Sequence, residues 1–194
     1  MRQILGDNQF FGINHNDLSK GAATKSLFPD SDSIYNFINA SQKIGLNGFM
    51  INSNDLGYKL IQDYQFDSSE IHYSVPYPHK YATLVNEKGM TSLISLFFKS
   101  ASFSSLVIKS PRFLFTRDIK YLLSLILDLE IPKNLPKGSY VYLQNIVTDL
   151  VLGLKRPDLL EEFCKVLISK GYFPGLITLN LPKVYEMVST FPIK

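Results

Sequence analysis

The stretch Ser33-Ile34-Tyr35-Asn36-Phe37-Ile38-Asn39-Ala40-Ser41-Gln42-Lys43-Ile44-Gly45-Leu46-Asn47-Gly48-Phe49-Met50-Ile51-Asn52-Ser53-Asn54-Asp55 decides the fold. From Ser33 to Ile44, the residues Ile34, Phe37, Ile38 and Ser41 fall on one helical face, and Gly45 supplies the stop expected after a helix. Leu46-Asn47-Gly48 then runs straight into the apolar run Phe49-Met50-Ile51. A connection this short between a helix and a strand belongs to parallel α/β units. The run halts abruptly at Asn52-Ser53-Asn54-Asp55.

The same halt recurs along the chain. Gln3-Ile4-Leu5 meets Asp7-Asn8-Gln9, Ile71 to Val75 is followed by His79-Lys80, Val141-Tyr142-Leu143 meets Gln144-Asn145, and Leu176 to Leu179 meets Asn180. In a parallel sheet all strands point the same way, so polar residues placed just beyond them converge on the face where ligands bind. Asp7, Asn8, Gln9, Asn52, Asn54, Asp55, His79, Lys80, Gln144, Asn145 and Asn180 are therefore expected to line a site.

Between these strands the spacing predicts a polar stretch from His15 to Ser31, a helix from Gly57 to Tyr64, and helices near Met90 to Ser100 and Arg117 to Glu130. The region of about 88–131 reads as a helical insertion between the third and fourth strands. Pro157 to Gly171 has acids early, bases late and a closing glycine, which suits the helix dipole. Gly175 to Asn180 reads as a buried strand, and Pro182 stands where a following helix tolerates proline. About five parallel βα units result. The expected fold is α/β, an incomplete TIM-barrel-like arrangement in a single domain spanning 1–194. Closure of such a barrel takes eight strands, and an unclosed sheet leaves strand edges to be covered by the insertion or by a second copy of the chain.

Composition narrows the classes further. The chain has 194 residues, 45% hydrophobic and 19% charged, enough for one substantial core and unlike a disordered segment. A net charge of +3, spread along the chain, gives no footprint for nucleic acid. Basic and aromatic residues alternate from Lys99 to Tyr121; a core-packed helix with a solvated basic face is the main reading, and a surface for single-stranded nucleic acid or an acidic lipid is the minor alternative. No apolar run reaches the length of a membrane span or a signal peptide, so a cytoplasmic protein with no membrane partner is expected. The single cysteine, Cys164, sits in a helical context and reads as a buried structural thiol. With three histidines, no paired metal-ligand spacing and His72 inside a strand, no metal site is expected.

Most of the strand-end residues are amides, which orient hydroxyl or carbonyl groups without changing charge. His79 and Lys80 form the candidate proton-transfer pair, with Asp7 or Asp55 as base or orienter. The structural alternative has Asp55 cap the helix that follows it, Asn52 and Asn180 cap helices or hold turns, and His79 and Lys80 sit in a solvated loop. Gly6 and Gly12 flank two phenylalanines but form no phosphate-binding fingerprint, so no motif supports a nucleotide cofactor.

Two segments resemble the aldo-keto reductase superfamily. Ala40 to Phe49, followed by Asn52 and then Gly57-Tyr58, is similar to the helix-Gly-strand segment that leads to that family's catalytic aspartate and tyrosine. Leu159 to Asn180 resembles its later helix-Lys-Gly-strand segment ending in an asparagine at the substrate and nicotinamide site. The resemblance places the family's aspartate on Asn52 or Ser53, its tyrosine on Tyr58, its lysine on Lys80 and its histidine on Gln144 or Asn145. It implies a barrel, a nicotinamide cofactor and carbonyl reduction. The resulting expectation is a metal-independent small-molecule enzyme, oxidoreductase- or lyase-like, acting on a carbonyl or polyhydroxy compound. The alternative is a truncated or degenerate barrel that binds a ligand or partner chain without catalysis.

Overall fold

A computed structural model describes residues 3–14, 17–46, 48–67, 70–77 and 119–191. His15, His79, Lys80, the helix expected near Met90 to Ser100 and most of the insertion and of the Lys99 to Tyr121 segment lie outside the described residues. Strands β1 (Ile4–Gly6), β2 (Gly48–Asn52), β3 (Ile71–Val75), β4 (Tyr140–Leu143) and β5 (Phe173–Leu176) form one sheet in the order β1-β2-β3-β4-β5. Every adjacent pair is parallel. The protein is thus α/β, and eight helices accompany the sheet among the described residues.

Strand side chains alternate between two faces. Phe49, Ile51, Ile71, Tyr73, Val75, Val141 and Leu143 share one face and are buried in the core. The same core takes Ile34 and Ile38 from α3 (Ser31–Lys43), Leu60 and Ile61 from α4 (Asp55–Asp63), and Leu127 from α5 (Ile119–Glu130). Leu160, Phe163 and Leu167 of α7 (Pro157–Ser169) join it. Along the opposite face run two cross-strand rows, Met50-His72-Tyr140-Phe173 and Asn52-Ser74-Tyr142-Gly175. His72 stacks on Tyr140 with ring centroids 4.9 Å apart, and its Nδ1 lies 2.9 Å from the Tyr142 hydroxyl.

The helix quoted at the outset forms where its spacing places it. Asp30 caps it in a reciprocal box with Ser33, and Gly45 leaves it at φ 92°. Three expectations change. A short helix, α1 (Asn8–Phe11), follows β1 ahead of the expected polar stretch, and that stretch itself contains α2 (Leu18–Lys25), capped by the Asp17 carboxylate on Ser19 N and Lys20 N. They pack closely because Gly21 faces Gly12, where an added Cβ would stand 2.1 Å from the Gly12 carbonyl oxygen. A further helix, α6 (Asn145–Gly153), starts directly beyond β4.

The last strand is also displaced from its expected range of Gly175 to Asn180, lying instead at Phe173–Leu176. Asp149 draws the chain out of the sheet by accepting from Thr178 Oγ1 at 2.5 Å and from Leu179 N at 3.1 Å, and Leu179 is left 86% exposed. Pro174 is accommodated because Phe173 N donates to Ser139 O and Ile177 N to Leu143 O, so by alternation its own amide position faces away from β4. The chain then enters α8 (Leu181–Val188), with Pro182 in its first turn.

Candidate functional site

Beyond the C-terminal ends of β1 to β4 lies a cavity of about 420 Å³. Its polar wall includes Asp7, Asn8, Asn52, Ser74, Gln144 and Asn145, and its apolar wall includes Ile13, Met50, Ile146 and Ile177. Gly6 and Tyr77 complete the lining.

Asp7 follows β1 and occupies the N-cap position of α1, yet its side chain makes no capping bond. It turns instead across the sheet, where Oδ2 accepts from Asn52 N at 2.8 Å and Oδ1 from Asn52 Nδ2 at 2.7 Å. Asn52 Oδ1 in turn accepts from Gln144 Nε2 at 2.6 Å. Gln144 sits at the N-cap of α6, again with no side-chain cap, and its backbone N–H extends the ladder by donating to Val75 O at 2.9 Å. The three side chains form one hydrogen-bonded line from β1 through β2 to β4.

Asp7 is 2% exposed, and burial raises its proton affinity above that of an ordinary carboxyl, with the Asn52 donors pulling the other way. Tyr77 is shifted in the same direction, first by burial and then by the Asp7 charge. Ser74 is 1% exposed and its hydroxyl has no hydrogen-bond partner among the described residues.

The other expected residues are placed differently. Gln9 lies in the first turn of α1, half-buried, outside the cavity lining. Asn54 is the cap of α4, accepting from Gly57 N at 2.8 Å, so the capping role assigned to Asp55 belongs to its neighbour. Asp55 is exposed in that helix's first turn, and Tyr58 is 39% exposed beside it. Asn180 caps α8 by accepting from Lys183 N at 3.4 Å. Asp7, Asn8, Asn52, Gln144 and Asn145 are brought together, whereas Gln9, Asn54, Asp55, Tyr58 and Asn180 do not line the cavity. Phe10 packs edge-on against Phe28 and Phe37 in the core.

Ser74 and Tyr77 were not anticipated. The signal for Ser74 was the alternation in Ile71-His72-Tyr73-Ser74-Val75, which sets its polar residues on the face away from the core. Among the described residues, no group of three or more His, Cys, Asp or Glu side chains is placed to hold a metal ion, and no helix is long and apolar enough to cross a membrane. No protein-family model, curated protein or solved structure matches this chain.

Proposed function

We propose that the chain is an incomplete TIM-barrel-like enzyme that binds a carbonyl or polyhydroxy compound at the C-terminal face of its strands and moves a proton on it. The observation that carries this reading is the line Gln144-Asn52-Asp7 along the cavity wall. Support for the barrel comes from strand order and packing. The strands follow one another through the sheet, and the helices' apolar residues gather on one set of alternating strand positions. A doubly wound sheet instead reverses its order at an internal switch point and carries helices on both faces.

In this reading Asp7 is the acid–base group. A buried carboxyl with raised proton affinity exchanges a proton with a bound ligand more readily at neutral pH than an exposed one. Asn52 positions Asp7, and Gln144 positions Asn52. His79 and Lys80 remain the proposed partners in proton transfer. Kinship with aldo-keto reductases is part of the proposal as ancestry. The described residues do not fit the hydride-transfer set of that family, because amides stand at Asn52 and Gln144, and Tyr58 on α4 is not among the residues lining the cavity. Proton transfer at Asp7 therefore stands without a nicotinamide step.

The test is a thermal-shift screen of the whole chain against nicotinamide cofactors, sugar phosphates, polyols and small aldehydes, since a ligand that binds only the native state raises its apparent stability. At least one compound is expected to raise Tm in the wild type and not in Asp7→Ala. Silence across the panel would overturn the reading.

A second reading, a barrel that binds a partner chain without catalysis, is favoured by apolar side chains at the β5 end. Phe173 is 56% exposed, and Ile146, Leu150 and Leu154 form an exposed stripe along α6. Association at micromolar concentration in sedimentation, with no ligand in the screen, is the outcome it expects.

A further inference from the structure

The hydrogen-bonding polarity of the cavity is fixed by its innermost group. Both Asp7 oxygens accept from Asn52, so Asn52 must present its Nδ2 to Asp7 and its Oδ1 to Gln144. Gln144 must then present Nε2 to Asn52, which leaves its Oε1 as an unused acceptor at the end of the line. Next to Asn52 in the sheet is Ser74, whose buried hydroxyl has no partner among the described residues. A buried hydroxyl left without a partner destabilises a fold, so its retention inside a cavity points to a ligand atom that completes it.

Gln144 Oε1 asks for a hydrogen-bond donor, and the Ser74 hydroxyl can donate as well as accept. An acceptor-only anion, such as a phosphate or carboxylate, would set its oxygens against Gln144 Oε1 and the Asp7 carboxyl, and the described lining residues include no Lys, Arg or His to offset that. A hydroxyl does both things required, accepting from Ser74 Oγ–H and donating to Gln144 Oε1. The C–H faces of a polyol match the apolar wall of Ile13, Met50 and Ile177. We infer that the cavity takes an uncharged polyol, one hydroxyl on Ser74 Oγ and a neighbouring hydroxyl on Gln144 Oε1. This deepens the small-molecule reading above and rests on it.

The test is calorimetric and thermal-shift titration of the whole chain with glucose, xylitol and myo-inositol beside glucose 6-phosphate and myo-inositol 1-phosphate. A neutral polyol is expected to bind saturably and its phosphate ester at least roughly tenfold more weakly. Ser74→Ala is expected to weaken polyol binding roughly tenfold while the ligand-free Tm stays at or above that of the wild type. Gln144→Leu gives a second, independent loss. A phosphate ester that binds as tightly as its parent polyol, or Ser74→Ala with unchanged affinity, overturns the polyol assignment and leaves the site standing. No binding by any polyol overturns it too, and if the aldehydes and sugar phosphates are also silent, the small-molecule reading falls with it.

Discussion

Ser53 and Glu130 share a buried hydrogen bond across 77 positions of the chain, with Ser53 Oγ donating to Glu130 Oε2. Both residues are 4% exposed, and the Tyr73 hydroxyl donates to the Glu130 carbonyl oxygen at 3.1 Å. The end of α5 is thereby fastened to the turn that follows Asn52. Ser53→Ala removes this buried, charge-assisted hydrogen bond, so stability should fall by about 1–3 kcal/mol. Urea unfolding of the variant measures this, and an unchanged midpoint would count against the contact.

Asp7 should impose a pH dependence of definite sign. The unfolded carboxyl has its ordinary value of 3.8, and burial raises the folded one. From 3.8 up to the raised value the native state binds more protons than the unfolded chain, so the Asp7 contribution to stability falls as pH rises and stays low beyond that window. The stability of Asp7→Asn minus that of the wild type should grow with pH through the window and then level off. Denaturant melts from about pH 3 to about pH 7 test it, and a flat difference would contradict the burial of this group.

Gly175 leaves room for an aromatic ring. A Cβ there would stand 2.4 Å from both Cδ1 and Cε1 of Tyr142, whose hydroxyl is engaged with His72. Gly175→Ala should cost about 1–3 kcal/mol through forced displacement of that ring. Combining it with Tyr142→Ala should cost less than the sum of the two single changes, and strict additivity in a double-mutant cycle would refute the clash.

Cys164 should be a poor nucleophile. Burial, and then the Glu161 charge, pushes its thiol up to about 11, leaving little thiolate near neutrality. Labelling by a chromogenic disulfide reagent at about pH 8 should be slow in the native protein and fast in denaturant. Rapid native labelling would contradict the placement of the side chain.

The α/β class and the parallel sheet were legible because periodicity switches cleanly at Gly45, from helical spacing before it to an apolar run after it. The site was legible only in part. Asp7, Asn52 and Gln144 announce themselves by standing directly after apolar runs, and so do Asn54 and Asn180. What separates the two groups is where the side chain turns: Asn54 and Asn180 bend back to their own helix amides, while Asp7 and Gln144 leave their caps unmade and meet at Asn52. That choice depends on a residue 45 or 92 positions away, which local pattern does not contain. Ile177-Thr178-Leu179 reads as strand for a similar reason, since its apolar and β-branched residues look extended until Asp149 captures them.

Because each strand is hydrogen-bonded to the one that follows it, no strand has to be inserted between two already paired. The sheet can therefore grow by addition at one edge, each strand meeting the one before it. The Asp7–Asn52 half of the line belongs to the neighbouring strands β1 and β2, and Gln144 joins it from the far side of β3.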